Sequence, residues 1–185
     1  MEQKNYNIDI VERLSKRHIH ARELAKLVGT NHTTILRKIK ELREMNIIDY
    51  KTEGKNNVCF LKESVEARNF IFIVEHYKLL RALTKYSVLR KIIENIQKNN
   101  CIDLAILFGS YAKGLAKKDS DIDLFVESKE RNIKREVEQL DSRLSVKIGE
   151  FNKDNLLVKE IIANHIIIKG VEKFYERTKF FEKNR

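Results

Sequence analysis

The stretch Gly109-Ser110-Tyr111-Ala112-Lys113-Gly114-Leu115-Ala116-Lys117-Lys118-Asp119-Ser120-Asp121-Ile122-Asp123-Leu124 decides how this chain is read. It follows an apolar run, Ile102 to Phe108, that reads as a buried strand. A Gly-Ser turn leaving a strand brings bare backbone amides close to a ligand, and such amides suit phosphate oxygens. A second apolar strand then carries Asp121 and Asp123. Residues two apart on a strand point to one face, so the two carboxylates stand side by side. They repel unless a cation lies between them. Oxygen-only ligands beside a phosphate site suit Mg²⁺, with Mn²⁺ as its substitute. A Walker-type loop is excluded because no Gly-Lys-Ser/Thr follows, and a dinucleotide fingerprint needs three spaced glycines that are not here.

The pattern resembles the nucleotidyltransferase superfamily that shares its palm with DNA polymerase beta, and more closely its minimal nucleotidyltransferase branch. That family has Gly-Ser, a short helix with a basic residue and a glycine, then Asp-x-Asp and an apolar residue. Gly109, Ser110, Lys113, Gly114, Asp121, Asp123 and Leu124 match it. Many members carry Arg where this chain has Lys113, which keeps the charge and loses the bidentate fork. The resemblance implies a mixed-sheet palm over roughly half the chain. It implies an NTP substrate held by Gly109, Ser110, Lys113, Gly114 and Ser120, and Mg²⁺ held by Asp121 and Asp123. Two-metal phosphoryl transfer uses a further acid, which in the family comes from a later strand beside the first two. Glu150, after Leu144-Ser145-Val146-Lys147-Ile148-Gly149, is the candidate for third metal ligand or general base, and an exposed strand-end residue is the competing reading. Gly149 can mark a bulge that changes the face of Glu150. Asp154 is the next option, at what reads as a helix start.

The first sixty residues read as helix, short strand, helix, helix and hairpin. Asn5 to Lys16 has apolar residues at helical spacing, and His18 to His20 is a short strand. Ala21 to Val28 is a helix stopped by Gly29, and Thr30 or Asn31 caps the helix His32 to Met45. A strand from Asn46 and a returning strand Val58 to Leu61 flank a turn over 53–57. This order resembles a winged helix-turn-helix. The resemblance implies that Asn31, His32, Thr33, Thr34 and Arg37 face DNA bases, with Lys38, Lys40, Lys55 and Asn57 nearer phosphates. The same fold also serves as a protein-binding or dimer module.

These readings give an α+β chain: a winged helix-turn-helix over 1–63, a connector helix over 64–86, and a small mixed-sheet palm with flanking helices over 87–185. In the connector, Phe70, Val74, Tyr77 and Leu80 form one apolar stripe and leave a second apolar side, which suits a helix packed on two partners or a homodimer seam. Helices are expected from Val88 to Gln97 with Ser87 as cap, from Glu130 to Arg143, from Asn152 to Asn164, and from Val171 to Phe181. A short strand, Ile166 to Ile168, lies between the last two.

The charge balance agrees with a polyanionic partner: 37 basic residues face 27 acidic ones, a formal net charge of +10. No apolar run approaches the ~18 residues of a membrane span, and the N-terminus has no secretory pattern. Cys59 and Cys101 lie far apart with no metal spacing, which suits a reducing cytoplasm. Two functions follow. The chain is an enzyme that moves an NMP to a hydroxyl, with a protein acceptor or toxin partner suggested by the minimal branch. Alternatively it is a DNA-binding regulator whose palm senses nucleotide or dimerises.

Overall fold

The computed structural model describes residues 5–54, 56–130 and 132–182. The chain divides into two compact units, Met1–Val74 and Glu75–Arg185. The division falls within one long helix, α4 (Val65–Lys85).

Unit 1 begins with α1 (Tyr6–Leu14), β1 (Ile19–His20), α2 (Ala21–Val28) and α3 (His32–Glu44), followed by the hairpin β2 (Ile48–Glu53) and β3 (Asn56–Leu61). Each helix has a local reason to start or stop. The Asn5 side chain accepts a hydrogen bond from the Ile8 amide at the head of α1. Gly29 takes the left-handed conformation, φ +69°, that closes α2. Asn31, rather than Thr30, caps α3 by accepting from the Thr34 amide at 2.8 Å. Ile8, Val11, Leu14, Leu24, Val28, Ile35, Ile39 and Leu42 make the shared core. Beneath them the sheet runs β1-β3-β2, antiparallel throughout, with Ile19 opposite Cys59 and Ile48 opposite Leu61. Lys55 lies outside the described residues.

The buried stripe of α4 differs from the expected one. Ala67, Ile71, Val74, Glu75, Leu79 and Ala82 are buried, whereas Leu80 is 58% exposed. Alanines, aliphatic side chains and one paired carboxylate go inward, and the aromatic stripe does not.

In unit 2, α5 (Leu89–Lys98) leads into β4 (Ile102–Leu107), the short α6 (Gly109–Ala112), β5 (Ile122–Ser128), α7 (Ile133–Glu138), β6 (Leu144–Ile148), α8 (Leu156–Ala163), β7 (Ile166–Lys169) and α9 (Val171–Thr178). A 3₁₀ turn, Phe180–Glu182, follows. Val88, not Ser87, precedes α5, and it makes no side-chain cap. The described strands form a mixed sheet in the order β6-β5-β4-β7, in which only β5 and β6 run parallel. Leu107, Ile122, Leu124, Val126, Leu144 and Val146 face a core shared with Leu89, Ile92, Ile93 and Ile96 of α5. Phe125 packs edge-on against Phe151, and Phe151 against Phe174 of α9.

Over the described residues 132–143 the helix is only α7, which stops at Glu138, and the chain then turns where Asp141 accepts from the Arg143 amide at 3.0 Å. The segment after Phe151 is likewise held in a turn by Asn152, which accepts from the Asp154 amide at 2.9 Å. α8 starts only at Leu156, after Asn155, whose side chain caps it by accepting from the Leu157 amide. Asp154 therefore sits in a turn before the helix.

Candidate active site

The site forms where β4 ends beside the start of β5. The Phe108 amide donates to the Asp123 carbonyl at 3.0 Å, which fixes the two strands at that point. The chain then turns through Gly109 at φ +66°. A Cβ on Gly109 would fall on the Asp123 carboxylate, so only glycine lets backbone and carboxylate meet here. Tyr111 anchors α6 in the core, with its ring 4.8 Å from that of Tyr86. The Leu115 amide donates to the Ser110 carbonyl at 2.9 Å, which closes the turn after α6. Gly114, at φ +71°, offers its carbonyl to the Lys85 ammonium at 2.7 Å.

The loop into β5 is tied at both ends. The Ser120 hydroxyl accepts from the Lys117 amide at 2.9 Å. The Arg143 guanidinium donates to the Lys118 carbonyl at 2.9 Å while its other nitrogens hold Asp141. The Ile122 amide donates to the Arg143 carbonyl at 2.8 Å. This frame places Asp121, exposed, just before β5 and Asp123, half-buried, within it.

The two carboxylates disfavour each other. Burial raises the Asp123 carboxyl above its ordinary value, and the Asp121 charge raises it further; Glu160 adds to this, while Lys147 and Lys113 oppose it. Glu160, on α8, also pairs with Lys113 at 3.2 Å. A pair of acids held together at such a cost is suited to a cation. Mg²⁺ binds through one or two carboxylates while waters and substrate phosphates complete its shell, so Asp121 and Asp123 fit one such ion. Among the described residues no three His, Cys, Asp or Glu side chains cluster as a metal site.

The register of β6 decides which residues stand beside Asp123. Asp123 lies opposite Ser145, Phe125 opposite Lys147, and Val126 opposite Ile148. Leu144 and Val146 are turned into the core with Leu124, so Ser145 and Lys147 share the face of Asp123. Glu150 follows the end of β6, is exposed, and comes after Gly149, whose amide still reaches the Val126 carbonyl. Since β6 runs parallel to β5, Glu150 lies past the end of β6, toward the end of β5 away from Asp123. The structure thus gathers Gly109, Asp121, Asp123 and Lys113 with Lys147 and Glu160, and it leaves Glu150 and Asp154 aside. Alternation in 144–148 carried the signal for Lys147. Glu160 had none, because only the packing of α8 brings it close.

In unit 1, Asn31, His32, Thr33 and Arg37 are exposed at the head of α3, and Thr34 is half-buried. Lys38 is paired with Glu41 at 2.6 Å, and Glu41 also accepts from Asn7. Lys40 stands 3.9 Å from Glu44. Asn57 accepts from the Thr52 hydroxyl across the hairpin.

Residues 90–173 match the family model described as Polymerase beta, Nucleotidyltransferase. This stretch is a nucleotidyltransferase-type domain. It runs from α5 to the first turn of α9 and contains every strand of the mixed sheet. A solved structure described as "Crystal structure of the toxin-antitoxin with AMP-PNP" aligns with 52% of this chain and 81% of its own, at 20% identity and a TM-score of 0.37. At that score nothing further is carried over from it. The comparison with curated proteins gives no match. Among the described residues no helix is long and apolar enough to cross a membrane, and Cys59 and Cys101 are free thiols.

Proposed function

We propose that the nucleotidyltransferase-type domain transfers an NMP from an NTP to an acceptor hydroxyl. The observation that carries this reading is the Asp123 carboxylate lodged against the bare backbone of Gly109, with Asp121 beside it. The Gly109 and Ser110 amides receive phosphate oxygens, and Lys113 exchanges Glu160 for the phosphate chain. Asp121 and Asp123 hold Mg²⁺, which when bound neutralises charge developing on the α-phosphate. The acceptor oxygen bonds to the α-phosphorus as the bond to pyrophosphate breaks, and the hydroxyl proton leaves to a carboxylate or to water. Glu150 and Glu160 are the two carboxylates to test for that role. The chain's own contribution is mostly positioning. A macromolecule that brings its own hydroxyl, such as a protein, is the acceptor this reading favours over a small molecule.

Unit 1 we read as a winged helix-turn-helix that tethers this activity to DNA. Its order of helix, short strand, two helices and hairpin supports this, as do the exposed Asn31, His32, Thr33 and Arg37. A second reading, a DNA-binding regulator with a retired palm, is favoured by one observation: Lys147, not an acid, faces the aspartates from β6.

The deciding experiment offers the purified chain each α-labelled NTP in turn with Mg²⁺ or Mn²⁺ and cell lysate as acceptor. Label that appears with the wild type and is lost in Asp121→Ala/Asp123→Ala supports transfer. Retained nucleotide binding without transfer supports the regulator.

A further inference from the structure

We propose that this palm works with one resident divalent cation, and that Lys147 supplies the fixed positive charge that a second cation would bring. This rests on the nucleotide-transfer reading above and goes to its charge arrangement. The strand beside β5 is the place from which a third acid would reach Asp121 and Asp123. On the face that Asp123 presents, that strand offers Ser145 directly opposite and Lys147 one step on, opposite Phe125. Neither can ligate a hard cation as a carboxylate does. Lys147 is exposed, so its four-carbon stem is unencumbered, and its charge acts on Asp123 in the sense that favours the carboxylate. A second divalent ion on that side would have to displace an ammonium and would find a hydroxyl and no acid.

The remaining acid, Glu160, is engaged with Lys113 at 3.2 Å. The site therefore holds two ammonium groups, Lys113 and Lys147, that act on a two-carboxylate cation seat. A triphosphate carries several negative charges. One divalent ion and two lysines can neutralise most of them without a second metal, Lys acting as a compact point charge toward phosphate.

The test counts ions. The full-length chain is equilibrated with Mn²⁺ and an α,β-methylene analogue of each NTP and then concentrated on an ultrafilter. Retained Mn²⁺ and nucleotide are measured by electron paramagnetic resonance and absorbance. One Mn²⁺ per bound nucleotide is expected for the wild type, and two for Lys147→Glu, which places a carboxylate at the register position. Lys147→Gln is expected to keep one ion and to bind nucleotide about tenfold more weakly, the effect of losing one partly screened charge contact. Two ions in the wild type would overturn the proposal, and a drop to one in Glu160→Gln would then name Glu160 as the third acid. One ion in Lys147→Glu would overturn it too. The analogue retained with Mn²⁺, together with no label transferred from the α-labelled NTPs of the experiment above, would defeat the enzyme reading alone, since the ion count stays readable. Failure to retain any nucleotide would overturn both.

Discussion

The exposed face of α3 and the open end of β5 handle charge in opposite ways. On α3 the basic groups are largely answered locally: Lys38 by Glu41, Lys40 by Glu44, and Arg43 by Asp49 at 2.8 Å. At the head of β5 two like charges are held together, and the nearest help comes from lysines on other elements. Local pairing is what a solvated helix does by default and contributes only tenths of a kcal/mol per pair. Crowding two carboxylates opposes folding, so it points to a ligand that relieves it. A third arrangement sits inside unit 2. Glu75 is buried, yet it stays charged because Lys78 lies at 2.7 Å, the Tyr175 hydroxyl donates to it at 2.8 Å, and the His165 ring stands 3.4 Å away. Burial alone would raise its carboxyl, but His165 and Lys78 outweigh burial and hold it down at about 2.

The contrast can be broken most sharply at the crowded pair. Asp121→Ala/Asp123→Ala should cut NMP transfer by about a thousandfold or more, several kcal/mol of transition-state charge stabilisation, measured with α-labelled NTP. Removing the repulsion should leave the fold at least as stable. A variant that melts earlier would show that the pair is structural.

Glu75→Ala should do the reverse. It leaves a largely buried set of His165, Lys78 and Tyr175 without its anion and should cost about 3 kcal/mol in urea unfolding. Because the folded carboxyl lies below its unfolded value of ~4.3, the contribution is fully present above that pH and fades as pH falls toward about 2. Wild-type stability should therefore drop across this window, and the drop should be much smaller in Glu75→Gln.

Gly109→Ala should lower transfer about a hundredfold, near 3 kcal/mol, since the new methyl displaces the Asp123 carboxylate and the left-handed backbone is strained. Near-normal activity would remove Gly109 from the site. On α3, Arg37→Ala should weaken binding to a preferred DNA sequence by about 1–3 kcal/mol and flatten the preference. Lys40→Ala should cost a few tenths, equally for all sequences, and lower the salt dependence slightly. Equal, small effects of both would favour a protein-binding role for unit 1.

Much of this was legible in the chain. Gly109, Asp121 and Asp123 announce themselves because a turn that needs glycine and a two-residue repeat on a strand are both local properties. Asn31 and Gly29 mark helix ends for the same reason, since a cap is made within three residues. Other features were not legible. The inward stripe of α4 followed Ala67, Glu75 and Ala82 instead of Phe70, Tyr77 and Leu80, because partners distant in sequence, such as Tyr175 for Glu75, decide which side is buried. The segment 130–143 looked helical by composition, but the turn at Asp141 cut it short.

By itself the sequence determined that strand, glycine turn and paired aspartates would form one edge, because each needs only near neighbours and the chain's own geometry. Only the tertiary structure decided what surrounds that edge. Strand register set Ser145 and Lys147 beside the aspartates and carried Glu150 past them, and the packing of α8 brought Glu160 to Lys113. Register is a relation between strands, and a shift of one residue would reverse every side chain; nothing within 144–150 alone could fix it.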